Sequence, residues 1–237
     1  MDFFRRLKKI KDLPPAFVLQ VLLDRMTFQF VQVRRFYLMA YSSIPDVRGL
    51  RGPGLIRNGE PTDIGAMAVL DTLERQEIFR QRFGAGDHCA VAVAGSRIIG
   101  YEWFTSKRFH EEQRYLYPLS VPDDAIYAYD AFILPEFRIS GVWVRFKKHL
   151  AEQMRELGRQ RIITLIDSHN ALSLKTHVRF GFTVYKSVLF VRVGGKRFFL
   201  ERDGASPGIR SDLRQPRGRL LRGPGFPGNG TRGGRTR

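Results

Sequence analysis

The spacing of apolar residues changes along the chain, and each change marks an element. Residues 28–41 are rich in β-forming side chains and partly alternate, which predicts an early strand. Dense proline and glycine over 42–61 predicts a loop. After a cap at Thr62 or Asp63, Ile64, Met67, Ala68, Leu70, Leu73 and Ile78 recur at helical spacing, predicting one helix to about Phe83. Gly84, Gly86 and Asp87 stop it. Strands over 89–94 and 97–105 flank Gly95-Ser96, a hairpin signal. Residues 106–122 read as a polar loop with two prolines. A strand over 125–134 ends at Pro135. A helix over 141–157 ends at Gly158, a strand spans 161–167, and a helix over 171–180 ends at Gly181. A last hairpin, 182–193 and 196–201, turns at Gly194-Gly195. The order predicts a mixed α/β fold around one largely antiparallel sheet.

Charge changes the picture at the ends. The chain carries 40 Lys+Arg against 23 Asp+Glu, a net of +17, which suits anionic company. Residues 1–11 hold +4 and residues 203–237 hold +6, so the middle is far less basic than the whole. Three parts follow: a basic helical segment at 1–27, a folded domain at 28–202, and a Gly/Pro/Arg-rich tail at 203–237 expected to be disordered. In the first, Phe17, Val18, Val21, Leu22 and Met26 suggest a short helix after Pro14-Pro15. Two readings stay open for it: packing on the domain, or lying on an anionic membrane with Phe3, Phe4 and the basic cluster. Pro14, Pro15, Gln20 and Asp24 break any signal-peptide core, and no apolar run is long enough to span a bilayer. The default location is the cytoplasm, with the inner membrane face as the alternative. The single cysteine, Cys89, excludes a disulfide framework and a multi-cysteine metal site within one chain. His88, His110, His149 and His169 lack metal-ligand spacing, so no metal is expected.

The chemistry is concentrated in 133–182. Ile133, Pro135, Glu136, Arg138 and Gly141 join a strand end to a helix start, where unpaired N–H groups and the macrodipole favour an anion. Asn170 opens the next helix, and Gly181-Phe182 follow eleven and twelve residues later. This combination resembles the GCN5-related N-acetyltransferase (GNAT) superfamily over about 62–200. The resemblance implies a central, mostly antiparallel twisted sheet flanked by helices and splayed between the fourth and fifth predicted strands, those at 125 and 161. It implies acetyl-CoA or another acyl-CoA as co-substrate. Backbone groups of Phe132, Ile133 and Leu134 would pair with the pantetheine amides like an added strand. N–H groups of Arg138, Ile139, Ser140, Gly141, Val142, Trp143 and Val144 would hold the pyrophosphate, and Asn170 would meet the pantetheine arm. Ile139 and Trp143 depart from the small residues of the family pattern. Either the Trp143 ring turns away, or CoA binding is weakened, or the donor differs.

Acyl transfer to an amine needs a proton acceptor, an oxyanion donor and a proton or cation for the thiolate. Asp130 is the first candidate base, or a holder of a cationic acceptor, with Glu102 and Tyr129 as alternatives. His177 sits where many family members carry a tyrosine, and is the candidate acid or thiolate partner. Tyr127 and Tyr129 line an acceptor groove or pack in the core; Trp103 and Phe104 read as core. The acceptor is an open amine: a small molecule, or an amino-sugar, polysaccharide or lipid precursor on a carrier. Rival readings are a degenerate GNAT-fold protein binding membrane or nucleic acid, and an acyltransferase fed by an acyl-carrier protein.

Overall fold

The computed structural model describes residues 31–41, 52–70, 75–204 and 219–222. The segment expected to form a basic helix at 1–27 lies outside these residues, as does most of the tail. Among the described residues the strands are β1 (Val31–Tyr41), β2 (Leu55–Asn58), β3 (His88–Ala94), β4 (Arg97–Thr105), β5 (Phe109–Glu112), β6 (Tyr117–Ser120), β7 (Ala125–Ile133), β8 (Arg161–Asp167), β9 (Thr183–Val193), β10 (Lys196–Asp203) and β11 (Arg219–Arg222). The helices are α1 (Ile64–Leu70), α2 (Arg75–Gly84), α3 (Val142–Glu156) and α4 (Ala171–Arg179).

Nine strands form one sheet in the order β11-β10-β9-β1-β8-β7-β4-β3-β2, and β5 and β6 form a separate hairpin. Every pairing is antiparallel except β7 with β8. The early strand β1 lies inside the sheet, between β8 and β9. A central strand must bury both faces. Phe36 and Leu38 face one core while Met39 and Tyr41 face the other, the plain alternation of a strand buried on both sides.

Helix α3 covers one face. Its Val142, Phe146, Leu150 and Met154 recur at i, i+4, i+8 and i+12 and bury against Ile126, Ala128 and Ile162. The other face is covered in two places. Helices α1 and α2 pack Met67, Ala68 and Phe79 on Tyr101 and Trp103. The β5–β6 hairpin and its flanks pack Tyr115, Tyr117, Leu119 and Val121 on Phe36, Tyr127 and Phe199.

Four expectations are corrected. The single helix after Thr62 is two helices, α1 and α2, and the residue α2 buries fully is Phe79 rather than Ile78. The polar loop at 106–122 holds a hairpin, because alternate apolar residues there find a sheet face to cover. The loop at 42–61 contributes β2, which pairs with β3. The tail contributes β11, which completes the backbone ladder on the free edge of β10.

Candidate active site

The parallel pair β7–β8 holds register only from Ala125–Arg161 to Ala128–Thr164. Beyond that, β7 stays bonded to β4 and β8 stays bonded to β1. The two strands are thus held on their outer sides and diverge, opening a cleft of about 590 Å3 between them. Asp130 marks the departure. It has φ +47°, and the β4–β7 register shifts beside it at Glu102/Trp103, so it is the extra residue of a β-bulge.

The ladder decides which backbone groups face the cleft. Leu134 N–H donates to Ile99 O at 3.0 Å, so Leu134 and, by alternation, Phe132 point at β4. The expectation that Phe132 and Leu134 offer their backbone groups to a ligand is therefore corrected. Ala131 and Ile133 face the open edge. Arg138 Nε donates to the Ile133 carbonyl at 3.1 Å, which confirms that parity.

A 3-10 turn, Pro135–Phe137, leads from β7 to α3. Phe137, Arg138 and Ser140 N–H bond back into the turn. Those of Ile139, Gly141, Val142, Trp143 and Val144 have no backbone acceptor among the described residues. Gly141 caps α3 at φ +82°, without a side-chain cap and with no acidic residue in the first turn, so the positive helix end is uncompensated. Ile139 stands 97% exposed at the tip. Arg145 pins the preceding chain to this helix through Pro53 O at 2.9 Å and Gly54 O at 2.6 Å.

Trp143 does not stand over the turn. Its ring runs sideways to α4, edge-on to His177 at 4.8 Å and to Phe180 at 5.0 Å. Asn170 Oδ1 caps α4 by accepting from Ser173 N at 3.1 Å, and Asn170 also lines the cleft. Gly181 takes φ +101°, and a Cβ there would stand 3.3 Å from the Tyr41 ring. Phe182 stacks on that ring at 4.9 Å. Both residues of the Gly-Phe pair thus serve the packing of α4 against β1.

The candidate acid and bases fare differently. His177 is buried, and Nδ1 lies 2.8 Å from Ser173 O, an atom that only accepts. Nδ1 therefore carries the proton and Nε2 a lone pair. Burial first, then the Lys147 charge, pushes this imidazole down to about 3. It is neutral at physiological pH, and the expectation of a proton-donating His177 is corrected. Tyr129 donates to Asp87 Oδ2 at 2.6 Å; burial, then this bond, raises its phenol far above the ordinary range, which takes it out of the set of bases. Asp130 accepts from Arg75 and Arg82 through Oδ2. Glu102 is buried against Lys147, and its other oxygen, Oε2, has no partner among the described residues.

Three groups were not singled out from sequence: Lys147, buried in the core, and Asp167 and Glu112, which line the cleft. Lys147, fully buried, lies over the Trp143 and Phe182 rings at 5.2 and 5.9 Å. Asp167 at the end of β8 accepts from Tyr115 Oη and from His169 N at 2.8 Å. Burial pulls its carboxyl up, but these bonds outweigh burial and hold it below the usual range. Glu112, from the hairpin, reaches the cleft, and burial raises its carboxyl despite a bond from Tyr115 N at 3.0 Å. Among the described residues no three His, Cys, Asp or Glu gather as metal ligands, and no helix is long and apolar enough to cross a membrane.

No family model and no curated protein matches the chain. Solved structures resemble it. A functionally unknown conserved protein from Staphylococcus epidermidis is 12% identical, with 74% of this chain and 68% of that chain covered and a TM-score of 0.49. A GNAT-family acetyltransferase by assignment, from Novosphingobium aromaticivorans, is 15% identical over 68% of this chain and 65% of that one, with a TM-score of 0.48. An aminoglycoside N-acetyltransferase in complex with a CoA bisubstrate analogue is 16% identical over 54% and 88%, with a TM-score of 0.44. The splayed parallel pair, bulged open edge and glycine-started helix stand in a mixed α/β fold around one mostly antiparallel sheet flanked by helices.

Proposed function

We propose that this protein is an acyl-CoA-dependent N-acyltransferase that moves an acetyl group from acetyl-CoA to a primary amine on a small molecule. The observation that carries the reading is the open edge of β7, which leads from a bulge at Asp130 to the uncompensated N-terminus of α3. An extended amide-bearing arm fits such an edge as an added strand, and a pyrophosphate fits such a helix start.

An acyl-CoA supplies a thioester already activated toward amines. Ala131 and Ile133 would pair with its arm, Arg138 releasing the Ile133 carbonyl. The N–H groups of Ile139 and Gly141 to Val144 would hold its phosphates, with Asn170 on the opposite wall. Trp143 forms part of that wall rather than an obstruction. In the reaction the amine nitrogen bonds the acyl carbon, the carbon–sulfur bond breaks, and the amine loses a proton. Glu112 is the best-suited acceptor for that proton. It lies where the donor cleft meets the neighbouring cavity, and its raised carboxyl is more basic than an exposed glutamate. Asp130, fixed by two arginines, would orient the acceptor.

The test is thiol release from acetyl-CoA by the full chain with a panel of primary amines. The proposal expects saturable amine-dependent turnover that falls about 100-fold or more in Glu112→Gln, with acetyl-CoA affinity retained. Turnover with no amine, or turnover indifferent to Glu112, contradicts it.

A further inference from the structure

A second cavity, of about 420 Å3, adjoins the cleft and shares Glu112, Arg114, Tyr127, Tyr129 and Asp130 with it. Its floor is flat and aromatic. Tyr127 and Tyr129 stack at 5.5 Å and 10°, and the His110 ring lies against Tyr129 at 4.5 Å. Its charge is one-sided. Arg75, Arg82 and Arg114 line it against the carboxylates of Glu112 and Asp130. Guanidinium groups stay charged in any protein setting. Burial pushes His110 down to about 4, so that ring is neutral and adds no charge to the lining. Three guanidinium groups thus stand against two carboxylates along the lining.

The arginines are not equally engaged. Arg75 and Arg82 converge on one oxygen of Asp130, Oδ2. Arg82 also reaches Gln113 at 3.2 Å and packs over Trp103 and Tyr129. Its buried Nε has no hydrogen-bond partner among the described residues. Arg114 stands at the rim, its side chain 67% exposed, 3.7 Å from Asp167. A half-enclosed aromatic site with an exposed guanidinium at its rim, held only at 3.7 Å by Asp167, suits a ligand bearing an acid group.

We propose that this cavity takes the acceptor, and that the acceptor is an amine bearing a carboxylate or phosphate, its acid group held by Arg114 and its amine set toward Glu112. The inference rests on the N-acyltransferase reading and narrows its substrate class.

Matched probes test it by ligand-observed NMR titration of the full chain without acyl donor. The pairs are β-alanine against β-alaninamide, and phosphoethanolamine against ethanolamine. In at least one pair the acid-bearing member should bind about 10-fold or more tightly, and Arg114→Gln should abolish the difference. The pair that responds separates a carboxylate acceptor from a phosphorylated one. Equal binding within both pairs, no binding by any probe, or a preference unchanged in Arg114→Gln overturns the inference. Failure of acetyl-CoA to bind would overturn the transferase reading instead, and the probe titrations would still stand as a test of the anion site.

Discussion

Replacing Lys147 with Met removes the cation from a buried ion pair. The Lys147 side chain is 1% exposed and that of Glu102 is 3% exposed. Lys147 lies beneath aromatic rings, and the second Glu102 oxygen already lacks a partner among the described residues. Lys147→Met thus leaves a carboxylate in the core with neither water nor a counter-charge. Breaking one side of such a pair costs about 3–5 kcal/mol, against about 5–15 kcal/mol for the whole stability of an ordinary domain. Glu102→Gln leaves the ammonium unpaired and should be damaging for the same reason. The double variant Lys147→Met/Glu102→Gln carries no buried charge and should lose less than either single variant, because desolvation opposes the pair's attraction. Urea unfolding followed by circular dichroism on the four proteins gives the cycle. Single variants that each lose under about 1 kcal/mol, or a double variant whose loss equals the sum of the two, would refute the reasoning.

Acid should destabilise the protein through His177. Its imidazole sits at about 3 in the folded chain against 6.5 when free. Between these values the unfolded chain binds the proton and the native one does not, so this contribution falls as pH drops. The loss is about 2 kcal/mol at pH 5, and urea midpoints of His177→Leu should show a pH dependence weaker by that amount; an unchanged slope refutes it. Gly54→Ala should destabilise by about 2 kcal/mol or more, since φ is +75° and a Cβ would lie 1.9 Å from Val93 O. Gly95→Ala, at φ +61° with open space around it, should cost about 1 kcal/mol; thermal melts that rank the two the other way contradict the account. Glu112→Gln, assayed by thiol release as above, should lower turnover without changing acetyl-CoA affinity.

What was legible in the sequence was local. The helix start at Gly141, the helix opened by Asn170 and the stop at Gly181 follow from spacing, and the structure holds each where the pattern put it. The β5–β6 hairpin was legible too: Tyr115, Tyr117, Leu119 and Val121 alternate with residues of lower burial, but two prolines and the surrounding charge masked the period. Lys147 carried a weaker signal, a lysine beside Phe146 on the buried face of α3. Other features depend on distant partners. The place of β1 between β8 and β9 is a pairing across more than a hundred residues, which no local pattern encodes. The backbone parity at Phe132 and Leu134 is set by a bulge and one bond to Ile99, so a one-residue difference exchanges the groups that face the cleft. The ionisation of His177 depends on burial and on Lys147, neither visible before the fold is known.

The account turns on whether the open β7 edge and the α3 N-terminus together hold an acyl-CoA. Calorimetric titration of the full chain with acetyl-CoA, beside Gly141→Glu checked for folding by circular dichroism, tests this most directly. The account predicts saturable binding of about micromolar strength, reduced 100-fold or more in Gly141→Glu, which strains the left-handed position and sets a negative charge at the anion site. A well-folded wild-type chain that binds neither acetyl-CoA nor longer acyl-CoAs would contradict it.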